Sequence, residues 1–412
     1  MPTIQGIESY QHRIIPTALN AQSGWYSAVS NAGTQPNHGG GAITFDTGIK
    51  RTAEHVCSLK VVPDGVTNTN VRRTIASTIV VGSAYIRVDS NPSGAIKLFN
   101  MALSAGVATV GMNTSGQVTA KVGSGTQNNG STNWADAKWH RIDWKADTST
   151  GTATLDIIVD GVETITQATL ALASANMTTV MTGDNTVGGP ATVYYSDLVW
   201  SVTAGDYPLG DHICLMSAID GEGTHAQGSG AFQTDTGGTS GYGAAVDDAW
   251  DGTTPELSQT GEDHVKQTVI DTSGYLEFTV ADPPPNYTVV WAAQPGFLLA
   301  ALDSATLDNV QARMYHSSTL LAQTGSIDPS ISATEYTGYR IYPTAAPSGG
   351  WSGTTLAAVR LRFGFSSDVT PNPVMNAACV EWVAPWPQAA AGPLIRNEVP
   401  FIGSNPLRIG PI

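Results

Sequence analysis

Residues 139–161 constrain the fold of this chain more than any other stretch. Trp139-His140-Arg141-Ile142-Asp143-Trp144-Lys145-Ala146-Asp147 and Thr154-Leu155-Asp156-Ile157-Ile158-Val159 alternate apolar and polar side chains. A Gly-containing turn lies between them, and Asp160-Gly161 supplies the next reversal, so the pattern predicts an antiparallel meander with one buried face. Only 13% of the 412 residues are charged and 44 are glycine, the profile of an all-β protein with short strands and many turns. The best helical stretch, residues 170–179, is short and uncapped and reads as a loop or a single turn. A chain of this length exceeds the size at which one core stops growing, so two domains of about 200 residues each are expected.

Strand patterns recur at roughly ten-residue spacing through the first half, as sandwiches and jelly rolls require. They fall at residues 42–47, 57–62, 85–89, 96–99, 107–111 and 117–122, then the meander, then 194–202. Residues 205–210 read as a linker. In the second half, strands are expected at 213–216, 275–280, 287–291, 310–316, 359–365 and 378–383, and residues 221–243 as a long Gly/Ser/Thr-rich surface loop. Segment 310–316 is too short to nucleate a helix alone and is read as strand. Alternation in Val359-Arg360-Leu361-Arg362-Phe363 predicts Arg360 and Arg362 on the wet face.

The net charge of −15 and the absence of any Lys/Arg cluster argue against nucleic acid or an anionic membrane surface as partner. No run of 18 apolar residues and no basic-then-apolar start is present, so synthesis in the cytoplasm without membrane insertion is expected. Cys57, Cys214 and Cys379 lack metal or disulfide spacing and are expected as buried free thiols.

No G-x-S-x-G elbow, P-loop, H-E-x-x-H or dinucleotide fingerprint occurs. Asp143 and Asp156, on neighbouring meander strands, are the candidate carboxylate pair for glycoside hydrolysis, but each alternates outward and no E-x-D-x-x-E arrangement surrounds them. Asp211-His212 and Asp263-His264 are sequence neighbours on opposite strand faces, not ready-made dyads. Asp247, Asp248 and Asp251, with Glu262 and Asp263 downstream, offer oxygen ligands to Ca²⁺ without the EF-hand order; solvated turn carboxylates are the competing reading, and no cofactor is expected. Among the ten tryptophans, Trp139 and Trp200 are expected in the core, whereas Trp25, Trp134, Trp250 and Trp351 lie near loops where sugar stacking is open to them.

Trp139-His140 with Asp160-Gly161, and the later Val193-Tyr194-Tyr195-Ser196-Asp197-Leu198-Val199-Trp200, resemble the strands of concanavalin-like, laminin-G-like jelly rolls. Beyond them, Gly6-Ile7-Glu8, Gly24-Trp25, the steps Gly205-Asp206 and Gly210-Asp211, Thr337-Gly338-Tyr339-Arg340-Ile341, Ser348-Gly349-Gly350-Trp351-Ser352 and residues 359–365 are similar to virion-surface and minor tail proteins of tailed bacteriophages. The likeness covers residues 6–385. One departure is the single Ser196-Asp197 where such proteins carry paired aspartates, which speaks against a metal there.

The resemblance implies an all-β chain: an N-terminal arm leading into the first domain (1–20), a laminin-G-like jelly roll (21–204), a linker (205–210), a second β-sandwich (211–387) and an extended C-terminal assembly arm (388–412). Leu394, Ile395, Val399, Phe401, Ile402, Leu407 and Ile409 are the arm's candidate docking residues, because a free tail is ordinarily polar whereas this one is apolar and punctuated by proline. The implied function is a non-enzymatic structural component of a tailed-phage virion, at the tail tip or baseplate and in contact with the host surface. A capsid decoration protein and a carbohydrate-binding adhesin module are the alternatives. Implied partners are other virion proteins, further copies of the chain and a host cell-surface glycan.

Overall fold

Residues 139–159 form an antiparallel pair in which Ile142, Trp144 and Ala146 lie opposite Val159, Ile157 and Leu155, all six buried. The computed structural model describes residues 1–10, 42–62, 70–103, 106–171, 176–183, 191–226, 232–234, 237–246, 264–268, 273–301, 311–323, 337–340, 346–364 and 373–386.

In chain order the first sandwich comprises β1 (Ile4–Glu8), β2 (Ala42–Asp46), β3 (Ser58–Val62), β4 (Asn70–Ser77), β5 (Ile79–Val88), β6 (Ile96–Leu103) and β7 (Gly106–Met112). Then follow β8 (Gln117–Val122), β9 (Asn128–Asn133), β10 (Trp139–Asp147), β11 (Thr152–Val159), β12 (Glu163–Ala171), β13 (Met177–Gly183) and β14 (Val193–Ser201). Among the described residues, one sheet runs β12-β11-β10-β5-β14-β3-β2, with β1 also on β14, and the facing sheet runs β4-β13-β6-β7-β8-β9. Their inner faces share one apolar core, across which Phe99 of β6 stacks on Trp144 of β10 at 4.3 Å. The fold is the all-β, jelly-roll sandwich class expected.

The second sandwich comprises β15 (His212–Glu222), β16 (Phe232–Thr234), β17 (Val265–Gln267), β18 (Tyr275–Val280), β19 (Ala292–Ala301), β20 (Gln311–His316), β21 (Thr319–Gln323), β22 (Thr337–Arg340), the short helix α1 (Gly353–Ala357), β23 (Val359–Gly364) and β24 (Pro373–Pro385). Strand β24 pairs with β19 on one edge and with β17 and β15 on the other. Beyond Ala218, β15 leaves β24 and pairs with β18, which continues through β23, β20 and β21, so β15 belongs to both layers. Val359, Leu361 and Phe363 point inward as expected, while Arg362 packs between the rings of Tyr275 and Tyr315 and bonds Glu277 at 2.6 Å.

Three local expectations are corrected. Within 170–179, the described residues belong to the end of β12 and the start of β13, because Met177 and Val180 fill the core between sheets. Residues 287–291 are not strand; their side chains and the bond from Trp291 N to Val383 O (2.7 Å) anchor a loop instead. Within 221–243, Phe232 of β16 and Tyr242 are buried, with the Tyr242 hydroxyl donating to Phe232 O at 3.1 Å. The three cysteines are buried and form no disulfide.

The outer face of the first sandwich does not meet water at its centre. Ile7, Val81 and Val199 pack against Cys214, Ala292 and Val383 of the second sandwich, with Leu209 of the linker between them. All nine residues of β14 are buried: Val193, Tyr195, Leu198 and Trp200 lie in the first core and Val199 in the junction. Residues 4–8, expected within an arm, lie in this junction: Gln294 donates to Ile7 O (2.7 Å), accepts from Ile7 N (3.2 Å) and donates to Glu381 (2.7 Å). Glu381 in turn accepts from Ser9 N and Ser9 Oγ at 3.1 and 2.5 Å.

Across four adjacent strands, Trp144, Gly82, Trp200 and Gly6 stand side by side in register. A Cβ on Gly82 would lie 2.2 Å from the Trp144 indole, and one on Gly6 would lie 2.1 Å from that of Trp200. Each glycine thus leaves the space that its neighbour's indole fills. At the far edge, Glu163 of β12 reaches across to β9, accepting from Thr132 N (3.1 Å), Ser131 Oγ (2.7 Å) and Trp134 Nε1 (2.6 Å), and Asn128 donates to Thr166 O (2.7 Å). Two open sheet edges are thereby closed by side chains.

Candidate functional site

Asp197 organises the domain junction. It sits at a bulge in β14 with φ of 55°, in the left-handed region, which turns its carboxylate toward the second sandwich. Fully buried, its Oδ1 accepts from His55 Nε2 (2.9 Å) and Cys214 N (2.5 Å), and its Oδ2 from Arg51 Nε (2.6 Å) and Ser196 Oγ (2.6 Å). Burial alone would raise the carboxyl's pKa, but Arg51, His55 and these hydrogen bonds hold it well below the ordinary carboxylate range. Arg51 also donates to His212 O (2.8 Å), so cation and anion both tie the first sandwich to β15.

Above this pair the polar network reaches the surface. Arg141 bonds Asp143 (2.8 Å) and Asp211, and Tyr85 donates to Asp211 at 3.1 Å. Burial, aided by the carboxylates of Asp211 and Asp197, pushes the Tyr85 phenol up against the opposing pull of Arg51 and Arg141, so it remains a donor. The Arg51 guanidinium lies 3.9 Å from the Tyr85 ring centre and 4.6 Å from that of Trp386, a cation held between two aromatic faces.

Where this network ends, a cleft of about 530 Å³ opens, lined by Asp211, Asn286, Tyr287, Thr288, Val289, Pro385 and Trp386. Trp386 is half-buried at the end of β24, and Asp211 is 65% exposed. On the other side of Tyr287 and Thr288 lies a second cleft of about 340 Å³, formed by residues 282–285 together with Gly353, Thr354 and Ala357. Tyr287 is rigidly placed: its ring packs edge-on to Trp382 at 5.2 Å and its hydroxyl donates to Glu54 at 2.8 Å. A Cβ on Gly353 would meet Tyr287 O at 2.6 Å, so glycine at this position lets α1 close the second cleft against the Tyr287 backbone. Aromatic and apolar walls with a few fixed polar groups, at a boundary between domains, are the usual make-up of a small-ligand site.

The sequence candidates fall elsewhere. Asp143 and Asp156 do face outward together, yet that face is covered: Asp143 is fully buried against Arg141 and accepts from Gly210 N (3.3 Å), while Asp156 pairs with Lys145 at 3.2 Å. His212 is buried with its nitrogens on Gly210 O and Asp197 O. Trp200 is core, Trp139 is half-buried with its Nε1 on Lys50 O, Trp134 bonds Glu163, and Trp351 is buried. The calcium candidates Asp247, Asp248, Asp251, Glu262 and Asp263, the loop residues Trp25 and Trp250, and the arm residues Leu394, Ile395, Val399, Phe401, Ile402, Leu407 and Ile409 lie outside the described residues.

A separate polar cluster occupies the surface of the first sandwich. His140 contacts Asp160 through Nδ1 (2.7 Å) and Asp136 through Nε2 (2.8 Å). Partial burial opposes the imidazolium, but the two carboxylates outweigh it and raise the His140 pKa. Asp136, despite some burial, is brought down to about 2 by Lys138 and His140.

A two-sandwich all-β protein with a cleft at its domain junction is the class that fold and site define. No family model matches the chain, and no curated protein matches it. Solved structures that it resembles include the cellulose-induced protein Cip1 (15% identity, TM-score 0.30, 40% of this chain and 87% of that one) and the alginate lyase AlyC3 (12% identity, TM-score 0.29, 35% and 74%). The Bacillus licheniformis β-glucanase is another (10% identity, TM-score 0.26, 35% and 78%). At these values the likeness is one of fold.

The expectation that the chain is not an enzyme does not stand: structures of similar fold include a lyase and a glucanase, so the fold gives no ground for excluding catalysis. That expectation rested on missing contiguous motifs. A sandwich draws catalytic groups from separate strands, so their absence excludes nothing.

Proposed function

We propose that this chain is a carbohydrate-contacting protein whose ligand lies in the junction cleft, displayed on the surface of a tailed-phage particle. The observation that carries the carbohydrate reading is the cleft wall itself: the Trp386 indole beside Asp211, Asn286 and Thr288. An aromatic ring offers a face to the C–H surface of a pyranose, and carboxylate, amide and hydroxyl groups offer hydrogen bonds to its ring of hydroxyls. Because Arg51 is locked under Trp386 and Asp197 under Arg51, the platform is rigid before ligand arrives, which limits the ordering cost of binding. The particle setting rests on the sequence resemblance to tail and virion-surface proteins.

A glycan array probed with the wild-type chain and with Trp386→Ala tests the reading. Selective retention that falls about tenfold or more in the variant supports it, that factor corresponding to about 1.4 kcal/mol. Retention unchanged in the variant, or no retained glycan, would overturn it. Mass spectrometry of the retained glycans after incubation reads any cleavage in the same samples. For the particle setting, light scattering on the full chain and on a chain ending at residue 387 is expected to give an oligomer and a monomer, the apolar arm docking on neighbouring subunits. A monomer in both forms speaks against assembly through copies of this chain.

A further inference from the structure

We infer that the two clefts flanking Tyr287 act as one extended site for an uncharged oligosaccharide, and that the protein rejects anionic ones. This rests on the carbohydrate reading above and adds the charge and length of the ligand.

Length follows from the shared wall. Tyr287 and Thr288 line both clefts, so the two adjoin at these residues. Tyr287 is 3% exposed and fixed at both ends, by Trp382 and by Glu54, so the wall is a fixed saddle across which two parts of one ligand would lie. The clefts measure about 530 and 340 Å³, each within or near the range of small-ligand sites, and a single sugar ring would leave one of them empty.

Charge follows from the lining. Among the described residues that line the two clefts, the charged ones are Asp211 and Asp282, and Glu54 stands behind Tyr287. Three arginines stand near the clefts, each with partners of its own. Arg51, 7% exposed, is held by Asp197 and covered by Tyr85 and Trp386; Arg141, 11% exposed, is held by Asp143 and Asp211; Arg360, behind the second cleft, donates to Ala357 O (3.2 Å) and Val359 O (2.7 Å). A uronate or sialate carboxylate entering here would face Asp211 and Asp282 with no cation among the lining residues, in a protein whose net charge of −15 repels it from a distance. Hydroxyl groups, in contrast, donate well to carboxylates.

The test is calorimetric titration of the full chain with uncharged hexasaccharides (cellohexaose, mannohexaose and N-acetylated chitohexaose), their monosaccharides, a mannuronate hexamer and sialyllactose. At least one uncharged hexamer should bind about tenfold or more tightly than its monosaccharide, and the anionic ligands should not register. Thr354→Trp, which fills the second cleft from an exposed position, should bring the hexamer to the affinity of a short ligand. Asp282→Asn should raise binding of the mannuronate hexamer. An anionic ligand bound as tightly as the uncharged ones, or a hexamer unaffected by Thr354→Trp, overturns this inference while a loss in Trp386→Ala keeps the cleft reading standing. If no ligand of either charge binds, both fall.

Discussion

Asp197 shows what a single buried charge can hold together. Removing its carboxylate leaves Arg51 buried without its counter-ion, so Asp197→Ala should lower stability by roughly 3–5 kcal/mol in chemical denaturation. Its folded pKa is depressed, so its contribution is complete above the unfolded value of about 4 and is lost as pH falls through the folded one. His140 has the opposite sign. With its pKa raised by Asp136 and Asp160, its contribution is complete below the unfolded value of about 6.5 and is lost as pH rises through the folded one. An NMR titration should place His140 above 6.5, and Asp160→Asn should move it back down. In the sequence, Asp197 stands out as an acid inside the apolar run 193–200. Its partners do not, since Arg51 and His55 lie 146 and 142 residues away and no local pattern ties them to it.

At the scale of strands, the Trp/Gly row fixes how tightly neighbours approach. Gly82→Ala sets a methyl against the Trp144 indole and should cost about 1–3 kcal/mol, read from the denaturation midpoint, because both strands are pinned on either side. Strand β1 makes a second case. A chain lacking residues 1–8 loses its pairing with β14 and leaves Gln294 without Ile7, so its melting temperature should fall, by about one degree for each kcal/mol lost in a chain of this size. Strands β10 and β11 were readable because one face carries polar side chains and the sequence alternates. β14 reads as a continuous apolar run because two cores claim it, and the residues of β1 carry too short a pattern to reveal what they pair with. Residues 287–291 gave a false strand signal at Tyr287, Val289 and Trp291: Tyr287 and Val289 serve the cleft wall and Trp291 packs against the junction, not into a sheet.

For the molecule as a whole, the apolar junction and the Asp197 and Glu381 networks join two sandwiches that the sequence suggests as separate units behind a linker. Differential scanning calorimetry should therefore show one cooperative transition, not two, and Asp197→Ala should broaden or split it. Two sandwiches in series were legible from strand spacing and chain length. Their fusion was not, because the residues that meet at the junction are small and apolar and look like ordinary core. The cleft was hidden for the same reason: Asp211, Tyr287 and Trp386 come together only once β24 has been laid beside β15. The doubly buried β14 also sets a rule for how such a chain diversifies. Neither sandwich is a portable cassette, since cutting at the linker would bare the second core of β14 in one half and β15 in the other. New ligand preferences would have to arise by exchange of the exposed cleft residues on the loop 282–289 and on α1, which line the clefts away from the junction.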